Sequence, residues 1–155
     1  MRAIVIGYGN TLRGDDGIGP AVAERVRRLI GSERTRVFIR QILTPDLAGD
    51  IEDSQRVVFI DASMQLPPGT VSEQILVPEM NSNSVMVHSL TPSELLGWCS
   101  HAYGKAPEAI LIAVGGFRYE LGESLSPEIR RTVRSLVTRT LELTTGIPSE
   151  PVMRS

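Results

Sequence analysis

The chain has 155 residues, 41% of them hydrophobic and 22% charged, the profile of one ordinary globular domain rather than a two-domain enzyme. At this length roughly 70% of the unfolded chain's surface is buried on folding. The lone cysteine, Cys99, excludes an intramolecular disulfide and a thiolate zinc cluster and fits a reducing, cytoplasmic location.

Sixteen cationic residues against eighteen acidic ones give a net charge of -2 with no long run of one sign. That leaves no electrostatic footprint for nucleic acid. No apolar run reaches the roughly 18 residues of a membrane span, and the opening MRAIVIGYGN is too short for a secretory leader. Lys105 is the single lysine, and His88 and His101 are the two histidines. Lysine-based covalent chemistry is therefore nearly excluded, and any imidazole must come from one of those two positions.

The elements are predicted in chain order. Arg2 to Ile6 reads as a buried strand stopped by Gly7 and Gly9. Ile18, Val22, Val26, Leu29 and Ile30 form the apolar stripe of a helix with Pro20 near its start and Gly31 past its end. A second strand is predicted over 36–42. Thr44-Pro45-Asp46 then reads as the cap, first-turn proline and dipole-facing acid of a short helix. RVVFID, Arg56 to Asp61, has the apolar density of a central parallel strand and ends on a carboxylate. Thr70 to Val77 suits an edge strand, and residues 78–86 a polar, mobile loop.

Thr91-Pro92-Ser93-Glu94 is a capping-box pattern for a helix bearing Leu95, Leu96 and Trp98. Ala109 to Val114 is another buried strand, closed by Gly115-Gly116. Ser126-Pro127-Glu128 opens a last helix carrying Ile129, Val133, Leu136, Val137 and Leu143, with Gly146 and Pro148 ending it. This rhythm predicts one α/β domain over 1–146, a three-layer α/β/α sandwich on a mostly parallel twisted sheet of about five strands. Residues 147–155 are expected to form a flexible tail.

Three places offer chemistry. The loop Gly7 to Gly19, GYGNTLRGDDGIG, lacks the third glycine of a dinucleotide fingerprint. It offers instead Asp15 and Asp16, which serve either as helix caps or as ligands. Asp61 ends its strand on the edge where open α/β sheets bind ligands, if the first and third strands run parallel; a local turn or cap is the plain alternative. His88, in VMVHSLTP, completes an O, O, N donor set suited to nickel or zinc. Ser63 and Ser89 adjoin Asp61 and His88 outside any nucleophile elbow, and Cys99 reads as helix-interior packing.

The stretch RAIVIGYGNTLRGDDGIGPAVAERV, followed by VVFIDAS, the His88 loop and GESLSPEI, resembles the hydrogenase maturation endopeptidases. These nickel-dependent proteases trim the C-terminus of nickel-iron hydrogenase large subunits. The resemblance implies that Asp16, Asp61 and His88 are both metal-contacting and catalytic. Gly7, Gly9, Asn10 and Asp15 become recognition residues. At Gln41 to Ala48, QILTPDLA, several family members instead carry a glycine-glycine-threonine stretch, which leaves Thr44 and Asp46 as the equivalent contacts. The implied partner is the precursor large subunit, which presents nickel through its own cysteines; no nucleic acid or membrane partner is implied. The rival readings are a nickel-loading checkpoint without cleavage and a nucleotide- or anion-binding module on the glycine loop.

Overall fold

The computed structural model describes residues 2–31, 33–80 and 89–145. His88, most of the loop expected over 78–86, the helix stop at Gly146 and Pro148, and the tail 147–155 lie outside the described residues. The elements run β1 (Ala3–Tyr8), a 3-10 turn (Gly14–Gly17), α1 (Ile18–Leu29), β2 (Thr35–Arg40), α2 (Leu47–Ile51), β3 (Arg56–Ser63), β4 (Val71–Leu76), α3 (Pro92–Tyr103), β5 (Glu108–Gly115), α4 (Pro127–Arg130) and α5 (Val133–Thr144).

The sheet order is β2-β1-β3-β5-β4. Four strands are parallel, and β4 pairs antiparallel with β5 at the edge. Alternation along the strands sorts the core into two layers. On one face Val5, Val58, Ile60, Ile110 and Ile112 pack with Val22 and Val26 of α1 and with Leu136 and Val137 of α5. On the other, Ile4, Ile6, Val57 and Phe59 pack with Leu47 and Ile51 of α2 and with Leu95, Leu96 and Cys99 of α3. The three-layer sandwich follows, and each fully buried branched side chain contributes about 1.5–3 kcal/mol of transfer free energy.

Several boundaries differ from the sequence expectation, each for a local reason. Leu29 of the predicted apolar stripe is 63% exposed, because α1 ends there and Ile30 turns extended. Asp46, rather than Thr44, stands at the cap of α2, and the Thr44 hydroxyl bonds the Asp46 carboxylate instead of a helix N–H. The last predicted helix is two, α4 and α5, separated at Arg131 and Thr132. The capping box of α3 forms as expected: Thr91 Oγ1 accepts from Glu94 N at 3.1 Å, and Glu94 Oε1 accepts from Thr91 N at 3.0 Å. His101 is exposed in the last turn of α3. No helix among the described residues is long and apolar enough to cross a membrane.

Candidate active site

Parallel pairing of β1 with β3, Gly7 opposite Ile60, brings the glycine loop and Asp61 out on one edge of the sheet. The two glycines make the approach possible. A Cβ on Gly7 would run into the Gly19 carbonyl at the start of α1, and Gly9, at φ +143°, lies against the backbone of Asp16. Both act by letting the loop fold back on the strand end.

The loop is closed by its own polar groups. Asn10 N donates to Asp16 Oδ2 at 2.6 Å, and Leu12 N donates to Asn10 Oδ1 at 2.9 Å. Neither aspartate caps α1, whose cap residue is Gly17 without a side-chain bond. The cap reading of these two carboxylates is thereby set aside.

The neighbours Asp15 and Asp16 face opposite ways. Asp15 is fully buried. Its Oδ2 accepts from Phe117 N at 2.7 Å, Arg118 N at 3.1 Å and Ser126 Oγ at 2.8 Å, and its Oδ1 accepts from Ser126 N at 2.7 Å. Burial alone would raise its pKa, but these bonds outweigh it and hold the carboxyl below the ordinary carboxylate range. Asp15 therefore ties the loop to the segment before α4, an inward role distinct from the recognition role implied by the resemblance.

Asp61 is the opposite case. Burial raises its pKa to about 7, the Tyr8 hydroxyl lowers it by hydrogen bonding, and the charge of Asp16 raises it again. Tyr8 is held protonated well above the ordinary phenol value by burial and then by Asp61. Asp16 and Asp61 thus lie within electrostatic reach of each other.

Beside Asp61 opens a cleft of about 530 Å³ between the β3-β5-β4 face and the start of α3, lined by Tyr8, Ser63, Gln74, Glu79 and Thr91 among others. Among the described residues no cationic side chain lines it. Asp61, Ala113 and Ser72 stand in register across three strands, so the small Ala113 floors the trough beside the carboxylate. Leu90, two residues after His88, also lines this cleft.

The chain matches no protein-family model, and no curated protein is significantly similar to it. Solved structures are similar over nearly the whole chain. The [NiFe] hydrogenase maturation protease HycI from Thermococcus kodakarensis KOD1 shares 23% identity, covering 94% of this chain and 93% of that one, with a TM-score of 0.74. The hydrogenase maturating endopeptidase HybD from E. coli shares 20%, covering 97% and 98%, also at 0.74. The chain has the fold of the hydrogenase maturation proteases. The hydrogenase 2 maturation peptidase from Thaumarchaeota archaeon SCGC_AB-539-E09 aligns at 25% identity over 92% of this chain and 97% of that one, with a TM-score of 0.66.

Within that protease fold, Asp16 and Asp61 lie within electrostatic reach of each other, and Thr44 and Asp46 bond each other next to Leu43, whose carbonyl accepts from Leu90 N of the cleft lining at 3.0 Å. No group of three potential metal-binding side chains occurs among the described residues; the expected third donor, His88, lies outside them. Tyr8 and Tyr119 escaped the sequence reading. Tyr8 had a readable signal, its place between the two loop glycines at a strand end. Tyr119 had none, since a tyrosine in a loop distant in sequence carries no local mark.

Proposed function

We propose that this protein is a metal-dependent endopeptidase that removes the C-terminal extension of a nickel-iron hydrogenase large-subunit precursor after nickel insertion. The observation that carries the reading is that Asp61, which lines a cleft it shares with Glu79, lies within electrostatic reach of Asp16, on the fold shared with hydrogenase maturation proteases. Two carboxylates within electrostatic reach of each other, one of them in a cleft with no cationic side chain among its described lining residues, fit a cation.

The residues that hold it in this reading are Asp16, Asp61 and His88, and oxygen with imidazole donors suits nickel or zinc. When bound, the cation supplies Lewis-acid polarisation of the scissile carbonyl. The chain's own part is positional. Tyr8 orients the Asp61 carboxylate, Asn10 N orients that of Asp16, and the cleft receives the peptide beside the ion. Because the nickel arrives on the precursor's cysteines, a precursor without metal leaves the acceptor groups of the site unmatched and binds weakly.

The anion-binding rival loses support from the same bonds. The loop amide of Asn10 is taken by Asp16, and a carboxylate in that place repels phosphate. Titration with nickel and with nucleotides separates the readings, since tight nucleotide binding without any metal response would contradict the protease.

For the site, Asp16→Ala, Asp61→Ala and His88→Ala should each abolish processing of the nickel-loaded precursor with circular dichroism unchanged. Normal processing by the His88 variant would break the assigned triad. Binding of the loaded precursor without a change in its mass would favour the checkpoint role.

A further inference from the structure

Pairing with Ala113 of β5 fixes Asp61 in the sheet. Asp16 sits outside the sheet on the 3-10 turn, where its carboxylate accepts from Asn10 N and its backbone lies against Gly9. The spacing of the two carboxylates therefore depends on what holds this turn to the end of β3. The loop of residues 116–126, between β5 and α4, grips both.

On one side it seizes the turn that carries Asp16. Phe117 N, Arg118 N and Ser126 donate to the Asp15 carboxylate. Backbone bonds run from Asp15 N to Arg118 O at 2.8 Å, from Gly14 N to Glu123 O at 3.0 Å and from Gly122 N to Leu12 O at 2.6 Å. On the other side the Tyr119 hydroxyl donates to Ser63 O at 3.2 Å and accepts from Gly116 N at 3.0 Å. Ser63 lies two residues beyond Asp61 on the same strand.

The fit has no slack. A Cβ on Gly116 would come within 2.6 Å of the Tyr119 hydroxyl and 2.7 Å of Asp15 Cβ. The hydroxyl is close enough to all three aspartates that their charges, after burial, help to keep it protonated.

We propose that Asp15 and Tyr119 are positioning residues: the 116–126 loop clamps the Asp16 turn to the end of β3 and thereby sets the separation of the two carboxylates for a divalent cation. The inference rests on the metal-dependent reading of the site. Groups that orient metal ligands from behind typically govern metal affinity by about 10–100-fold, whereas a purely structural contact changes stability and leaves affinity alone.

The test uses nickel ion alone. Wild type, Tyr119→Phe and Val137→Ala are titrated with Ni²⁺ by calorimetry and melted in parallel. Val137 packs in the far α5 layer, so its alanine variant controls for destabilisation. Tyr119→Phe should weaken Ni²⁺ binding about tenfold or more and raise KM for the nickel-loaded precursor by a similar factor. Val137→Ala should lower the melting temperature with both values unchanged. Asp15→Asn, if it folds, should move with Tyr119→Phe. Wild-type affinity and wild-type KM in Tyr119→Phe overturn the clamp. A wild-type protein that neither binds nickel nor processes the precursor overturns instead the function on which the clamp rests.

Discussion

Asp15 and Asp61 show how environment, rather than residue type, divides the labour of a buried and a half-buried carboxylate. Asp15 is charged and fully bonded in the native state, so it stabilises the fold above the ordinary carboxylate pKa, and this contribution is lost as pH falls through its depressed folded value. Replacing it with asparagine turns an amide group toward donors that need an acceptor. Asp15→Asn should cost about 2–4 kcal/mol at pH 7 in urea unfolding, with the difference from wild type shrinking below about pH 4.

Asp61 has the reverse sign. With a folded pKa near 7, the metal-free native state binds its proton more tightly than the unfolded chain does, so stability falls as pH rises from about 4 through 7. Ionised Asp61 then costs on the order of 4 kcal/mol at pH 8. Asp61→Asn should therefore be more stable than wild type at pH 8 and lose that advantage toward pH 4, by urea unfolding in the absence of metal. A variant less stable at pH 8 would contradict the burial assigned to this group. Stability gained by removing a carboxylate would mark it as kept for function.

At the scale of elements, the signals legible in the sequence were those written in short range. RVVFID shows a central strand because its apolar residues lack alternation, and it does lie between β1 and β5. The Thr91 to Glu94 pattern fixes the start of α3 because both partners of the box lie within one turn. Thr91→Ala should cost about 1 kcal/mol in thermal or urea unfolding. Cys99 sits between α3 and α2, its Sγ 3.8 Å from Ala48 O, and burial raises its pKa. Cys99→Ala should retain full processing activity, and loss of activity with an intact fold would reopen a thiol mechanism. The sequence was less informative where elements end by tertiary contact. The break between α4 and α5 carries no glycine or proline, and the Thr44 hydroxyl prefers the Asp46 side chain to the helix N–H groups.

Across the whole molecule, the site was legible in proportion to how directly its parts depend on the sheet. The parallel pairing of β1 with β3, the condition on which the sequence reading of Asp61 depended, suffices to put the Asp16 loop and Asp61 on one edge. The division between Asp15 and Asp16 was not legible, because it is decided by Phe117, Arg118 and Ser126, about a hundred residues away in the chain. The raised pKa of Asp61 likewise needed the packed sheet end and the nearby Asp16 to be seen in space. Scarcity did much of the remaining sorting, since one cysteine and one lysine leave carboxylates as the main reactive groups.

The measurement that bears most directly on the function is the mass of a nickel-iron hydrogenase large subunit after incubation with this protein. The nickel-loaded precursor should lose its C-terminal extension, with the released peptide detected by mass spectrometry. The same precursor without nickel, and the loaded precursor mixed with Asp61→Ala, should stay at full mass. A loaded precursor that remains uncut by the wild-type protein, or a nickel-free one cut equally well, would contradict the account.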